Sequence, residues 1–330
     1  MEEEFFREKE ECTAALTHIE KDIEDPVLKS IDEIYGAADS LSLQHAEEYR
    51  RIIFALSAAG TLLAIAFLLY DEVYWYGMIL ACGVLILALF GINRMAKRLH
   101  CHRKYLEYRL LAEGARVQYY LRRAGLRRNV ADLLPWSWQF NVPWTKQVLE
   151  RLPDESGKKH EENAAETENS SQPRSILDIW IRDQASYHRN ALGRTEARIR
   201  HNDRITRMAL ILALITYAAA LIFEITAGGL FSGKVLLPAG QMETARVVLK
   251  VAMGSFSAMT LFAGNYYGKL SLEDTAQGHR RMAALYEKAE QEILKNGETE
   301  ELLIHMAREE LAENSSWYAY QSKNAPDVTI

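Results

Sequence analysis

Four long apolar runs constrain what this chain can fold into more than any other feature. The runs at 52–70 and 73–92 contain no charged residue, and those at 208–231 and 247–267 contain one each. At a rise of 1.5 Å per residue, each run can cross a hydrocarbon core of about 30 Å as a helix. The sequence therefore predicts an all-α integral membrane protein with four transmembrane helices. Buried core helices of a soluble protein are the alternative explanation.

The residues that flank the runs predict how the four helices are arranged. Only Asp71 and Glu72 separate the first two runs, and the aromatic residues at 74–76 are typical of a membrane interface. We therefore expect two hairpins, 52–92 and 208–267. Basic residues gather at the other ends of the runs, which by the positive-inside rule places both termini and the central segment in the cytoplasm. These residues are Arg50, Arg51, Arg94, Lys97, Arg98, Arg103, Lys104, Arg198, Arg200, Arg204, Arg207, Lys269, Arg280 and Arg281.

The segments outside the hairpins are polar. The stretch at 153–174, PDESGKKHEENAAETENSSQPR, has no large apolar residue, so burial cannot offset its ordering entropy and we expect a flexible linker. The linker separates two halves of similar plan, which suggests a duplicated unit. The expected cytoplasmic regions are an N-terminal helical segment at 1–51, a helical region at 93–152, a helix at 175–207 and a C-terminal helical region at 268–330.

Composition and motifs argue against several classes of function. The net charge of −6 gives no reason to expect a nucleic-acid polymer as partner. Zinc-protease, hydrolase and nucleotide-binding motifs are missing from the sequence, so we expect neither an enzyme nor a cofactor. We interpret the three cysteines as free thiols. Neighbouring side chains on a helix point about 100° apart, so His100, Cys101 and His102 cannot converge on one ion, and we expect no metal site.

The basic segment YRLLAEGARVQYYLRRAG at 108–125 lies on a helix that we predict over 94–124. Arg109, Arg116 and Arg123 recur every seven residues, and Glu113 is placed to reach both Arg109 and Arg116. Three interpretations remain open: a packed helix with local ion pairs, an anion or nucleotide site, and contact with lipid headgroups. We expect the helix to pack through its apolar face and to leave the arginines for a ligand. The apolar face consists of Leu106, Leu110, Val117 and Leu121.

A second polar cluster occurs in LDIWIRDQASYHRNA, residues 177–191. On a helix Trp180, Asp183, Gln184, Tyr187 and His188 lie on adjoining rows of one side. Such a face can stack a base on an aromatic ring and hydrogen-bond its edges. The same pattern is also typical of a seam between two packed helices, which is the interpretation we favour.

Each of the last two apolar runs contains one charge. Glu224 and Lys250 lie at about the same height if the two helices are antiparallel, so an ion pair between them is expected, with a gating or pore-lining role as one consequence. Separate positions near the outer interface, with Lys250 snorkelling, are the alternative. The small residues Gly254, Ser257 and Ala258 permit close helix approach and favour oligomerisation.

Three segments carry a resemblance to a known family: YLEYRLLAEGARVQYYLRRAG, WIRDQASYH and MAREELAENSSWY. With them the chain resembles, over about 32–323, the bacterial SLATT-type (SMODS and SLOG-associating) transmembrane effectors and related four-span modules. One departure is that only about 50 residues precede the first hairpin, where related chains often carry a sensor domain. The residues that carry the resemblance are Tyr108, Arg109, Ala112, Glu113, Trp180, Gln184, Tyr187, His188, Glu313 and Trp317.

The resemblance implies an effector of antiphage conflict systems in the bacterial inner membrane. Such an effector perturbs or permeabilises the membrane, as in abortive infection, when a nucleotide signal or a sensor partner switches it on. The implied partners are the lipid bilayer, further copies of the chain, and either a cyclic oligonucleotide or a separate sensor or nucleotidyltransferase. We expect coupling along the helices that leave the second and fourth spans. The alternatives are a constitutive channel or transporter for ions or small solutes, and a membrane anchor for a soluble partner.

Overall fold

In the computed structural model, every described element is a helix. The structure describes residues 1–12, 16–21, 23–152, 175–227 and 238–324. The linker predicted at 153–174 lies outside these residues, as does the end of the third apolar run. The α-helices are α1 (Glu2–Glu11), α2 (Pro26–Glu72), α3 (Met78–Leu99), α4 (Cys101–Arg123), α5 (Trp136–Asn141), α6 (Pro143–Arg151), α7 (Asp183–Thr226), α8 (Ala239–Lys269), α9 (Leu272–Asn296) and α10 (Glu300–Gln321). A 3₁₀ turn, Val130–Leu133, precedes α5, and a π-helical turn, Leu177–Arg182, leads into α7.

The helices divide into two compact units. The core unit comprises Met1–Tyr49, His100–Thr195 and Glu273–Ala325, and the apolar unit comprises Arg50–Leu99 and Glu196–Leu272. The core unit is therefore assembled from three separate stretches of the chain. Both α2 and α7 contribute their first part to the core unit and the rest to the apolar unit.

Helix α4 is the central element of the core unit. Almost every side chain from Lys104 to Leu121 is buried, including the whole predicted apolar face at 106, 110, 117 and 121. A helix buried on all sides has to satisfy its polar residues internally. Gly114 allows α6 to approach closely, because a Cβ atom there would lie 2.6 Å from Cδ1 of Leu149.

The apolar unit contains four helices that are long and apolar enough to cross a membrane, as the sequence predicts. Within one chain, the most apolar window of each helix is covered only to 6–28%. Leu80, Val84 and Leu87 of α3 share one helix face and are each at least 66% exposed. Most of the apolar surface of these helices is therefore not covered by the residues that the structure describes.

Two helix boundaries differ from the prediction. The second run becomes helical only at Met78, because Tyr74 lies in the left-handed region with φ of 54°. The helix predicted over 94–124 is interrupted at His100, whose φ of 50° ends one hydrogen-bonded ladder before α4 begins. Ser271, with φ of 47°, separates α8 from α9 in the same way.

The left-handed residues His100 and Ser271 lie in the helices that leave the second and fourth apolar runs, along which the sequence predicts coupling. Both helices that leave those spans break, at His100 and Ser271, whereas α2 and α7 run without interruption for 47 and 44 residues into the first and third spans. The pattern of an unbroken entering helix and a broken leaving helix occurs in both halves of the chain. This agreement is consistent with the duplicated plan.

Candidate functional site

The candidate site is built on three successive turns of α4. Glu113 lies between Arg109 and Arg116, as its spacing predicts: its Oε1 is 2.5 Å from Arg109 Nη2, and its Oε2 pairs with Arg116 Nη2. All three side chains belong to a helix that is enclosed by its neighbours. Their charges therefore have to be balanced inside the core unit.

Two further carboxylates complete this balance, and the sequence gives no local signal for either. Asp39 of α2 lies 2.9 Å from Arg109 Nη1, and Glu310 of α10 lies 2.5 Å from Arg116 Nη2. Burial disfavours the charged form of Arg116, but the two carboxylates that contact it outweigh burial and raise its pKa well above the ordinary value. Three carboxylates thus face two guanidinium groups. The arginines are engaged with them, and the Arg116 side chain is only 9% exposed.

Glu310 joins this charge cluster to the second cluster predicted from sequence. Its Oε2 accepts a hydrogen bond of 3.1 Å from Trp180 Nε1 and a second one from the Tyr286 hydroxyl. Trp180 is fully buried and stacks on Tyr120, with ring centroids 5.0 Å apart. Trp180 therefore packs in a seam between helices, the interpretation that we favoured, and its ring faces are not open to a nucleobase.

His188 extends the network at its other side. Its ring stacks on Tyr286, and its Nδ1 lies 3.0 Å from Nδ1 of His279, so one neutral ring donates to the other. Burial, with the positive charge of Arg116, lowers the pKa of His188 to about 3. Burial also lowers the pKa of His279. Both rings are therefore neutral at physiological pH.

The remaining predicted ligand residues differ in their surroundings. Tyr187 is partly exposed and contacts His279 edge to face. Gln184 is buried, and its Oε1 has no hydrogen-bond partner among the residues that the structure describes. Arg123 lies apart from the cluster, because it pairs with Glu20, which also accepts a hydrogen bond from the Tyr119 hydroxyl.

The predicted ion pair between Glu224 and Lys250 is not formed. Arg246, one turn before Lys250 on α8, makes two hydrogen bonds of 2.6 and 2.7 Å to the Glu224 carboxylate. Lys250 instead binds Glu72 at the end of α2, at 3.0 Å. The sequence argument considered only charges inside the apolar runs, whereas these long side chains pair with residues at the ends of the helices. A cavity of about 650 Å³ lies beside Arg246, Lys250 and Glu72.

The arrangement in the core unit is a buried network of charges and rings, in which Nε of Arg116 and Oε1 of Gln184 have no hydrogen-bond partner among the described residues. Because each guanidinium group already binds two carboxylates, an anion that binds Arg109 or Arg116 competes with them. Comparisons of the chain with protein-family models, with curated proteins and with solved structures found no match.

Proposed function

We propose that this chain is an effector of the bacterial inner membrane, which it permeabilises when its core unit receives a signal. The observation that supports the proposal is the set of four long apolar helices whose surfaces the chain leaves largely uncovered. Such surfaces are stable in lipid or against further copies of the chain. The proposal places the core unit and both termini in the cytoplasm, following the basic residues beside the runs. It assigns no catalytic step and no cofactor to the chain.

Self-association is part of the proposal. In this proposal the pore is lined by helices from several copies. The exposed stripe at Leu80, Val84 and Leu87 provides an apolar surface that a second copy can cover. Gly254 supports tight packing within one chain, because a Cβ atom there would lie 2.6 Å from Cδ1 of Leu68. The open space beside Gly60 and Gly83 leaves those two positions available to a neighbouring copy.

In this proposal the resting state is the one in which Arg109 and Arg116 are paired with Asp39, Glu113 and Glu310, a set that we call the charge network. A phosphate group competes well for guanidinium, because it accepts two charge-assisted hydrogen bonds at once. A cyclic oligonucleotide that takes Arg116 from Glu310 would release the contacts of Glu310 to Trp180 and Tyr286 at the same time. A separate sensor or nucleotidyltransferase that binds the core unit would act on the same contacts. Either trigger opens a network that links α2, α4, α7, α9 and α10.

Coupling to the membrane is assigned to α2 and α7. Each carries a residue of the network, Asp39 or His188, and then continues into an apolar run without a break. At 1.5 Å per residue, the 47 residues of α2 span about 70 Å, more than twice a hydrocarbon core. A shift imposed at Asp39 is therefore carried along an unbroken ladder of backbone hydrogen bonds.

The test is dye release from vesicles that contain the purified full-length protein, before and after addition of a panel of cyclic oligonucleotides. The proposal expects release on addition of one compound, and release without any addition from Glu310→Gln. Arg308→Gln, which changes an exposed residue of the same helix as Glu310, should behave as the wild type. Release from the wild type before any addition would favour a constitutive channel. Silence of the wild type and of Glu310→Gln would favour a membrane anchor and would overturn the proposal.

A further inference from the structure

A cluster of three metal-ligating side chains lies away from the charge network, where α2 meets the beginning of α4. The cluster consists of His45 and Glu48 on α2 and Cys101, the first residue of α4. His45 Nδ1 lies 3.1 Å and Cys101 Sγ 3.3 Å from the same oxygen, Oε2 of Glu48. The three ligand atoms all lie within 4.8 Å of one another.

The hydrogen bonds of His45 show that its Nδ1 needs a proton or a cation. The other ring nitrogen, Nε2, lies 3.1 Å from Oε2 of Glu8. Glu8 also accepts hydrogen bonds from Lys104 and Tyr108, and together these donors outweigh burial and lower its pKa, so it stays ionised and can only accept. Nε2 therefore carries hydrogen, and in a neutral imidazole the lone pair of Nδ1 then points towards a second carboxylate, Glu48.

Glu8 occupies the position of the supporting carboxylate in metal sites that contain a histidine ligand. In such sites the ring nitrogen that does not bind the metal donates to a carboxylate, which fixes the tautomer and the orientation of the ring. Here that carboxylate is on α1, and the free nitrogen faces a thiol and a second carboxylate. Burial and the neighbouring Glu48 raise the pKa of the Cys101 thiol to about 12, so without a cation it remains protonated.

We propose that His45, Glu48 and Cys101 bind a Zn²⁺ ion. A nitrogen, an oxygen and a sulfur ligand are the set that Zn²⁺ accepts at about 2.0–2.3 Å, which places the ligand atoms of a tetrahedral site about 3.3–3.8 Å apart. The observed separations of 3.1 and 3.3 Å are close to this spacing. Glu48 is 38% exposed at its side chain, so a water molecule can take the fourth position.

Binding of one Zn²⁺ releases the proton of the Cys101 thiol, because the thiolate is the form of cysteine that binds a metal. No oxidant or reductant is involved. Affinity therefore rises with pH, as for other sites whose ligands lose protons on binding.

The site was not visible in the sequence. The expectation of no metal site considered only neighbouring residues on one helix, whereas Cys101 meets residues that precede it by 53 and 56 positions. The break at His100 separates Cys101 from α3 and makes it the first residue of a new helix. Bound Zn²⁺ would tie that first turn to α2, next to the left-handed residue. This inference is independent of the proposed effector function.

The experiment is titration of the metal-free, reduced full-length protein with Co²⁺, followed by displacement with Zn²⁺. A thiolate-to-cobalt charge-transfer absorption at one equivalent per chain, which Zn²⁺ abolishes, is the expected result. Cys101→Ser should lose this absorption, whereas Cys12→Ser and Cys82→Ser should keep it. Glu8→Gln should bind Zn²⁺ about 10–100-fold more weakly, the usual cost of losing a supporting carboxylate.

A second variant keeps the test decisive if Cys101→Ser does not fold. Glu48→Gln changes a partly exposed side chain, and it should weaken Zn²⁺ binding while helix content by circular dichroism stays that of the wild type. The proposal is overturned if the wild type shows no thiolate absorption with Co²⁺. It is also overturned if Cys101→Ser or Glu48→Gln, correctly folded, binds the metal as tightly as the wild type.

Discussion

Replacing Glu310 with glutamine tests whether the buried charge network holds the core unit together. The substitution keeps the size of the side chain and one carbonyl acceptor, but it removes the negative charge that faces Arg116. It also places an amide NH₂ group near a guanidinium group or near the donors of Trp180 and Tyr286. Arg116 thereby loses one carboxylate partner, and either Trp180 or Tyr286 loses its hydrogen-bond acceptor.

The expected cost follows from burial and from the partners that remain. Removing one partner of a buried ion pair costs about 3–5 kcal/mol. Arg116 keeps Glu113, so the lower end of that range applies, and we expect about 3 kcal/mol. For a unit of about 200 residues, 1 kcal/mol shifts the melting temperature by about 2–4 °C. Glu310→Gln should therefore lower the melting temperature of the core unit by about 6–12 °C.

The assay is thermal unfolding of the full-length protein in detergent, followed by near-ultraviolet circular dichroism, which reports on buried rings such as Trp180. The matched control is Glu309→Gln, the exposed neighbour, which should change the melting temperature by less than about 2 °C. In addition, Arg116→Met combined with Glu310→Leu should cost less than the two single substitutions added together. A shift for Glu310→Gln no larger than that of the control would refute the reasoning.

Three further predictions concern other parts of the structure. His188 binds a proton in the unfolded chain at its ordinary pKa but not in the folded protein until about pH 3. The free energy of unfolding should therefore fall by up to about 1.4 kcal/mol per pH unit as the pH drops below about 6.5, measured by denaturant unfolding at a series of pH values, and His188→Gln should flatten that dependence. Gly254→Leu should destabilise the apolar unit, measured as loss of folded protein on size exclusion, whereas Leu68→Ala together with it should restore part of the yield. Reversing the charge at position 224 with Glu224→Arg should reduce the yield of folded protein, and adding Arg246→Glu should recover that yield. Equal yields of the single and double variants would contradict the pairing.

The elements that could be predicted are those whose signal is local. Four apolar runs long enough to cross a membrane need only composition and length, and the structure contains a helix for each. The contact of Glu113 with both Arg109 and Arg116 follows from spacing on one helix. Burial of Leu106 and Leu110 follows from the same periodicity. Such features depend on residues within a few turns of one another.

The features that could not be predicted depend on distant residues or on single backbone angles. Glu310 is 194 positions from Arg116, and nothing in its neighbourhood distinguishes it from the exposed Glu309. The break at His100 requires a left-handed conformation, which is uncommon for any residue other than glycine and has no clear signal in the sequence. The pairing of Glu224 with Arg246 could not be predicted, because Arg246 precedes the fourth apolar run and the sequence does not show that α8 begins before that run.

The discontinuous core unit has a consequence for how the protein is made. Chains emerge from the ribosome from the N-terminus onwards, and domains generally fold once their residues are available. Arg116 is synthesised long before Glu310, so until α10 emerges the arginine has only Glu113 as its carboxylate partner in the network. Both pairs of apolar helices leave the ribosome before the core unit can be completed. The network is therefore completed last, and a chain that is cut short before α10 cannot form it.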